Sequence, residues 1–237
     1  DDTDATTVTI TASTASVAEG GSITYTASVN NAVTSTPLVI TLTNGQTITI
    51  PVGQSSASSA AFAVRADDAY VQGTQTLDVG IAGTSGGAFE ALTTTSIVST
   101  TVTDDADTTA LSISASAASV VEGGSIIYTV ALTSTAQTAV TVNLTYSGTA
   151  ANGSDYTGVA SVTIAAGASS ASFTITAADD AATESTETLT VALASASGGN
   201  FENLSLGGSV TTSIVDNDTP PDGRNATLTT LEDTALV

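Results

Sequence analysis

One unit is written twice in this chain, and its acidic residues fall at matching places in both copies. Glu19 and Glu122 sit in the phrases AEGGSITYT and VEGGSIIYT, 103 residues apart, the same spacing as Asp4 to Asp107. Asp67–Asp68 and Asp179–Asp180 sit in RADDA and AADDA, 112 apart, as do Phe89 and Phe201 of GGAFE and GGNFE. Asp-x-Asp recurs at Asp2/Asp4, Asp105/Asp107 and Asp216/Asp218. The longer spacing gives the second copy about nine extra residues, which fall near GTAANGSDYTG. The copies are read as 5–104 and 108–218, joined through 105–107. Residues 1–4 then close a preceding repeat or junction, and 219–237 form a linker and the start of a further repeat.

A net charge of −21 would signal disorder if hydrophobicity were low, but 41% of the residues are apolar. Val, Ile and Thr recur throughout, as strands prefer. The chain is therefore globular and all-β. Its only basic residues are Arg65 and Arg224, which makes nucleic acid and anionic membrane surfaces poor partners. The absence of Cys removes disulfides, and the absence of both Cys and His removes zinc, copper, haem and iron–sulfur chemistry. No apolar run approaches membrane-spanning length. The opening DDTD carries no basic-then-apolar leader and reads as if cut from something longer.

Each copy breaks into about seven alternating segments bounded by Gly, Ser, Asn or Asp, the pattern of an antiparallel β-sandwich. In the second copy the expected strands are 110–115, 125–133, 140–146, 159–164, 172–177, 188–193 and 209–215. Ile126, Tyr128, Val130 and Leu132 should line one buried face, as Ile23, Tyr25, Ala27 and Val29 should in the first copy. Leu77, Val79 and Ile81 repeat Leu189, Val191 and Leu193.

If successive strands alternate in direction, four connections of the second copy share one end of the sandwich. They carry Glu122, Asp155, the group Asp179, Asp180, Glu184 and Glu187, and finally Asp216 and Asp218. The loops at the opposite end carry only Glu202. Carboxylates crowded at low effective dielectric repel unless a cation sits among them. Hard divalent cations take six to eight oxygens, so the pattern points to Ca²⁺, and eight carboxylates point to more than one ion. In the first copy the matching set is Glu19, Asp67, Asp68, Asp104, Asp105 and Asp107.

The stretch ASVVEGGS…GSDYTG…VTIAAGASSASFTITAADDAATESTETLTVAL…SIVDND resembles a Calx-β repeat, the calcium-binding sandwich of sodium–calcium exchangers, integrin β4 and many bacterial surface proteins. The resemblance rests on SDYT, on the DDxxxExxE spacing of Asp180, Glu184 and Glu187, and on the closing DND. It implies that the eight acids of the second copy are calcium ligands. The first copy departs from that pattern: it lacks GSDY and has Gln72 and Gln75 in place of Glu184 and Glu187, which implies fewer or weaker ions. Its LVITLTNGQTITIPVGQ stretch resembles the immunoglobulin-like extender repeats of giant biofilm adhesins of the RTX, type I-secreted kind. NATLTTLEDTALV resembles the opening of a cadherin-like repeat. Two immunoglobulin-like sandwiches are thus expected in a secreted, monomeric, cell-surface adhesin, where calcium folds and stiffens an extender that projects a distal ligand-binding domain. Neighbouring repeats would be its partners.

Plainer readings compete with these. The acidic loops could be merely solvated, but repeated spacing and one-ended placement favour metal. Asp104, Asp105 and Asp107 could form a free linker, but about three residues between strands favour an ion-stiffened junction, to which Glu202 could add a ligand. Tyr25 and Tyr128 could stack on sugars, but they keep step with core residues. A module that itself binds a glycan or surface is the alternative function. Catalysis is not expected, since no nucleophile, His or Lys accompanies the acids.

Overall fold

Thr- and Val-rich alternation becomes strand after strand in the computed structural model, which describes residues 4–219. These residues divide into two units: 4–109 with Asn200–Ser205, and 110–199 with 206–219. The first eleven strands are β1 (Ala5–Ala12), β2 (Ser16–Ala18), β3 (Ser22–Ile23), β4 (Tyr25–Val29), β5 (Leu38–Leu42), β6 (Thr47–Ile50), β7 (Ser56–Ser58), β8 (Phe62–Ala63), β9 (Gln75–Gly86), β10 (Ala91–Thr93) and β11 (Ile97–Thr103). They form one sheet in the order β10-β1-β4-β7, another in the order β2-β11-β9-β5-β6, and a small pair β3-β8.

The remaining strands are β12 (Thr108–Ala115), β13 (Ser119–Val121), β14 (Ser125–Leu132), β15 (Val140–Gly148), β16 (Ser161–Ile164), β17 (Ser170–Thr176), β18 (Glu187–Gly198), β19 (Asn203–Gly207) and β20 (Ser209–Val215). Their sheets run β17-β14-β12-β19 and β13-β20-β18-β15-β16, so the two units repeat one topology. The all-β sandwich class expected from the sequence is what the chain adopts. Two short strands per unit were not foreseen. The first strand of each unit divides between the two sheets, so that β2 pairs parallel with β11 and β13 parallel with β20. A further strand, β10 or β19, precedes the last one. Three-residue strands such as β2 and β13 offer too little alternation to be read.

Burial follows the period of two. On β14, Ile126, Tyr128, Val130 and Leu132 are buried, while Ser125 and Ile127 face outward. The same holds for Ile23, Tyr25, Ala27 and Val29. Each such aliphatic side chain removed from water contributes about 1.5–3 kcal/mol. Tyr128 stacks on Phe173 of the neighbouring β17, ring centres 5.4 Å apart. Ile81 and Leu193 are only half-buried. Each lies where the ladder shifts register, at Thr41/Leu42 and Asn143/Leu144, and a bulge turns the side chains that follow it.

The extra residues of the second unit lengthen one connection. Residues 43–46 link β5 to β6 in a tight turn closed by the Gly45 amide on the Leu42 carbonyl at 3.0 Å. Residues 149–160 link β15 to β16 instead, and they carry Asp155.

Candidate metal centres

The long loop is fixed by its own bonds. Asp155 Oδ2 accepts from the Ala151 amide at 2.5 Å, and the Asp155 amide returns a bond to the Ala151 carbonyl at 3.0 Å. The Tyr146 hydroxyl donates to the Val159 carbonyl at 2.6 Å, and the Ala178 amide donates to the Asp155 carbonyl at 2.7 Å. That last bond brings the loop beside the segment of Asp179 and Asp180.

Glu122 follows β13, and its amide donates to the Val215 carbonyl at 3.1 Å, which sets it against the residues after β20. Gly123 follows with φ of +74°, and a Cβ there would come within 3.4 Å of the Asp179 side chain. The paired glycines after each Glu therefore allow the turn to close on the Asp-Asp segment. Asp216 Oδ2 accepts from the Glu184 amide at 2.7 Å, and its Oδ1 accepts from the Asp218 amide at 2.8 Å. Asn217 Nδ2 donates to the Glu122 carbonyl at 3.3 Å and to Asp179 Oδ1 at 3.2 Å.

Two triplets result in the second unit. Glu122, Asp216 and Asp218 each place a carboxylate oxygen within 4.8 Å of the others, and so do Asp155, Glu184 and Glu187. Six of the eight acids expected there are thus gathered. Asp179 and Asp180 lie outside the triplets; Asp180 Oδ1 caps the Ala182 amide at 2.7 Å. Burial raises the Glu122 carboxyl above its ordinary value, and the charges of Asp216, Asp180, Glu184 and Asp218 raise it further. Asp218 is raised by burial, then by Asp216, Asp179 and Asp180. Glu184 is raised by burial and by Asp180, and Glu187 by burial and by its hydrogen bond with Asp155. Asp155 moves the other way, held low by the Ala151 amide. Glu122 Oε2 and Asp218 Oδ2 are buried oxygens without a hydrogen-bond partner. Buried oxygens of this kind call for a partner. The donor set is all oxygen and fits a hard cation.

The first unit gathers Asp67, Asp105 and Asp107, and also Glu19, Asp105 and Glu202, with Asp105 shared. Glu202 comes from the segment Asn200–Ser205, and its Oε2 accepts from the Asp107 amide at 2.6 Å. The charges of Asp107 and Asp105 raise Asp67. Glu19 is 4% exposed, and its Oε1 has no hydrogen-bond partner. Asp104 and Asp68 stand outside these groups. Asp104 Oδ2 accepts from the amides of Gln72 at 2.8 Å and Gly73 at 3.1 Å, and Oδ1 pairs with Arg65. The Gln72 amide, followed by Gly73 and Arg65, holds Asp104 below its usual range. Asp68 accepts from the Tyr70 amide at 2.9 Å and from the Gln72 side chain.

Sequence reasoning missed Arg65, whose Nε lies 2.7 Å from Glu19 Oε2. The signal was present: RADDA against AADDA puts a base inside an acidic phrase.

The LapA domain matches residues 4–105 and again 107–219. This chain belongs to the LapA-domain family, a family of bacterial adhesins. No curated protein matches it in sequence. Among solved structures it is similar to the apo-form Calx CBD1 domain, with 22% identity over 46% of this chain and 98% of that one and a TM-score of 0.37. It is also similar to the calcium binding domain CBD12 of CALX1.1, with 11% identity over 87% and 99% of the two chains and a TM-score of 0.33. The adhesin InvE of Yersinia pseudotuberculosis shares 15% identity over 89% of this chain and 58% of that one, at a TM-score of 0.28.

Proposed function

We propose that this chain is an extender segment of a bacterial cell-surface adhesin, folded and stiffened by Ca²⁺ so that a distal ligand-binding domain is carried outward. The adhesin family supports the surface role. The observation that carries the calcium reading is the pair of carboxylate triplets in the second unit. No Lys, Arg or His lies among the described residues of that unit, so none of these balances them. The ligands we assign there are Glu122, Asp155, Asp179, Asp180, Glu184, Glu187, Asp216 and Asp218. In the first unit we assign Asp67, Asp105 and Asp107, with Glu202 as an addition, while Glu19 is paired with Arg65. The Glu184 amide donates to Asp216 Oδ2, and Glu184 belongs to the other triplet, so ions in the two triplets would be neighbours.

The chain's own residues prepare the sites. The EGG turn and the Asp-x-Asp turn follow directly from strands of the sheet and bring their carboxylates together, and the ion supplies the opposite charge that lets those turns stay closed. An extracellular calcium supply would favour the folded form, while a calcium-poor cytoplasm would leave the chain looser before export. Isothermal titration with Ca²⁺, with Mg²⁺ as the comparison, tests this reading. Several Ca²⁺ per chain with weaker Mg²⁺ supports it, and no heat of binding from either ion ends it.

A further inference from the structure

The two units share one backbone frame around their acidic ends. In the first, the Glu19 amide donates to the Thr103 carbonyl at 3.0 Å, the Gly20 amide to Arg65 at 2.9 Å, and the Gln72 amide to Asp104 Oδ2 at 2.8 Å. In the second, the Glu122 amide donates to the Val215 carbonyl at 3.1 Å, the Gly123 amide to Ala177 at 3.1 Å, and the Glu184 amide to Asp216 Oδ2 at 2.7 Å. These bonds match Glu19 with Glu122, Arg65 with Ala177, Gln72 with Glu184 and Asp104 with Asp216.

At the matched place the two units differ in one respect that decides their electrostatics. Glu122 and Asp216 come together with Asp218 and have no basic side chain among them. Glu19 and Asp104 are bridged by a single guanidinium. Arg65 Nε meets Glu19 Oε2 at 2.7 Å, Nη2 meets Asp104 Oδ1, and Nη1 donates to the Gly73 carbonyl at 2.7 Å. The Glu19 side chain is fully excluded from solvent, and that of Arg65 is 16% exposed. A planar fork with fixed donors suits two carboxylates better than a flexible ammonium would. The same unit replaces Glu184 with Gln72 and Glu187 with Gln75, which lowers the negative charge that the cation must balance.

We infer that Arg65 is a built-in counterion, occupying in the first unit the place where the second unit holds a divalent cation between Glu122 and Asp216. This rests on the calcium reading of the second unit. The first unit therefore closes its Glu19–Asp104 end without metal, while the second cannot close the equivalent end alone. Breaking a buried pair by removing one partner leaves an uncompensated charge, which is costly until another cation replaces it. Removing Arg65 should create a calcium site where there was none.

The test uses the full chain, with hydrogen exchange followed by mass spectrometry in Ca²⁺ and in EDTA, beside calorimetric Ca²⁺ titration. In the wild type, the Glu122, Gly123 and Glu184 amides should exchange about tenfold faster or more in EDTA, while those of Glu19, Gly20 and Gln72 change far less. In Arg65→Ala and Arg65→Gln, the first-unit amides should lose protection in EDTA, regain it in Ca²⁺, and the chain should take up one more ion. Arg65→Lys should keep the wild-type ion count. Overturning results are a first unit equally unprotected or unfolded with and without Ca²⁺, or one unchanged in both, or an ion count that does not rise. Wild-type second-unit amides indifferent to Ca²⁺ would instead overturn the calcium reading, a failure seen in different peptides.

Discussion

The Tyr128 hydroxyl lies 2.7 Å from Thr212 Oγ1, a buried pair that joins β14 to β20 across the core of the second unit. Thr212 also reaches the Leu189 carbonyl at 3.4 Å, so the pair is tied to β18 as well. The matching tyrosine of the first unit, Tyr25, is fully buried with its hydroxyl unpartnered. Tyr128→Phe should leave Thr212 with a lost partner and cost about 1–3 kcal/mol, whereas Tyr25→Phe removes an orphan hydroxyl and should be neutral or stabilising. Chemical denaturation of both variants checks the contrast.

Calcium should raise the melting temperature. With a dissociation constant on the order of 10⁻⁵ M and a hundredfold excess of free ion, each site adds about 2.7 kcal/mol. For units of this size that is a shift of roughly ten degrees, reversed by EDTA. Scanning calorimetry with and without chelator measures it, and coincident curves would reject the linkage.

Replacing Asp179 and Asp180 together with Asn should weaken calcium stabilisation of the second unit far more than Asp78→Asn. Asp78 lies on β9, where it accepts from Ser99 at 2.5 Å, outside every carboxylate group. The Ca²⁺-dependent part of the melting shift is the quantity to compare.

Acid should stabilise the metal-free second unit before it harms it. Glu122, Glu184, Glu187 and Asp218 bind protons more tightly folded than unfolded, since burial and neighbouring charges raise them. Their contribution is therefore fully present below the ordinary carboxyl values and is lost as pH rises through the raised ones. In EDTA the unit should gain stability as pH falls from 7 toward those values. Asp155 and Asp104 are lowered, so what they contribute is lost only on further acidification below the ordinary Asp value. With Ca²⁺ present the first trend should reverse, because protons compete with the ion. Melting curves across pH in the two buffers separate the cases.

Gly148→Ala should unfold the loop that carries Asp155. Gly148 closes β15 at φ +128°, and a Cβ would meet the Thr188 carbonyl oxygen at 2.1 Å. The backbone strain alone is about 1–3 kcal/mol, and the clash adds to it. Gly45→Ala meets nothing within 4 Å and should cost less. Far-ultraviolet melting of the two variants ranks them.

Much of this architecture was written in the alternation of apolar residues. Ile126, Tyr128, Val130 and Leu132 announced a buried face because a strand has one period and one face must leave water. The convergence of Glu122, Asp216 and Asp218 followed from strand direction alone. Arg65 was hidden for a physical reason: its role depends on the Gln72–Gly73 backbone folding back toward Asp104, a relationship between positions 31 and 32 residues apart that no local pattern expresses. Asp68 and Asp104 read in sequence as members of the metal-ligand set, since the backbone amides that take up their oxygens leave no mark on it.

The parallel pairing of β13 with β20 sets how the second unit meets tension. Ser119, Val120 and Val121 lie beside Ser213, Ile214 and Val215, one strand near the start of the unit and the other near its end. Pulling the chain from both sides slides these strands past each other, so their hydrogen bonds are loaded in shear together instead of unzipping in turn. β2 and β11 repeat the arrangement through Ser16–Ala18 and Thr101–Thr103. Each repeat thus carries its own clasp between its early and late strands, and in the second unit Glu122 is the next residue in the chain after β13.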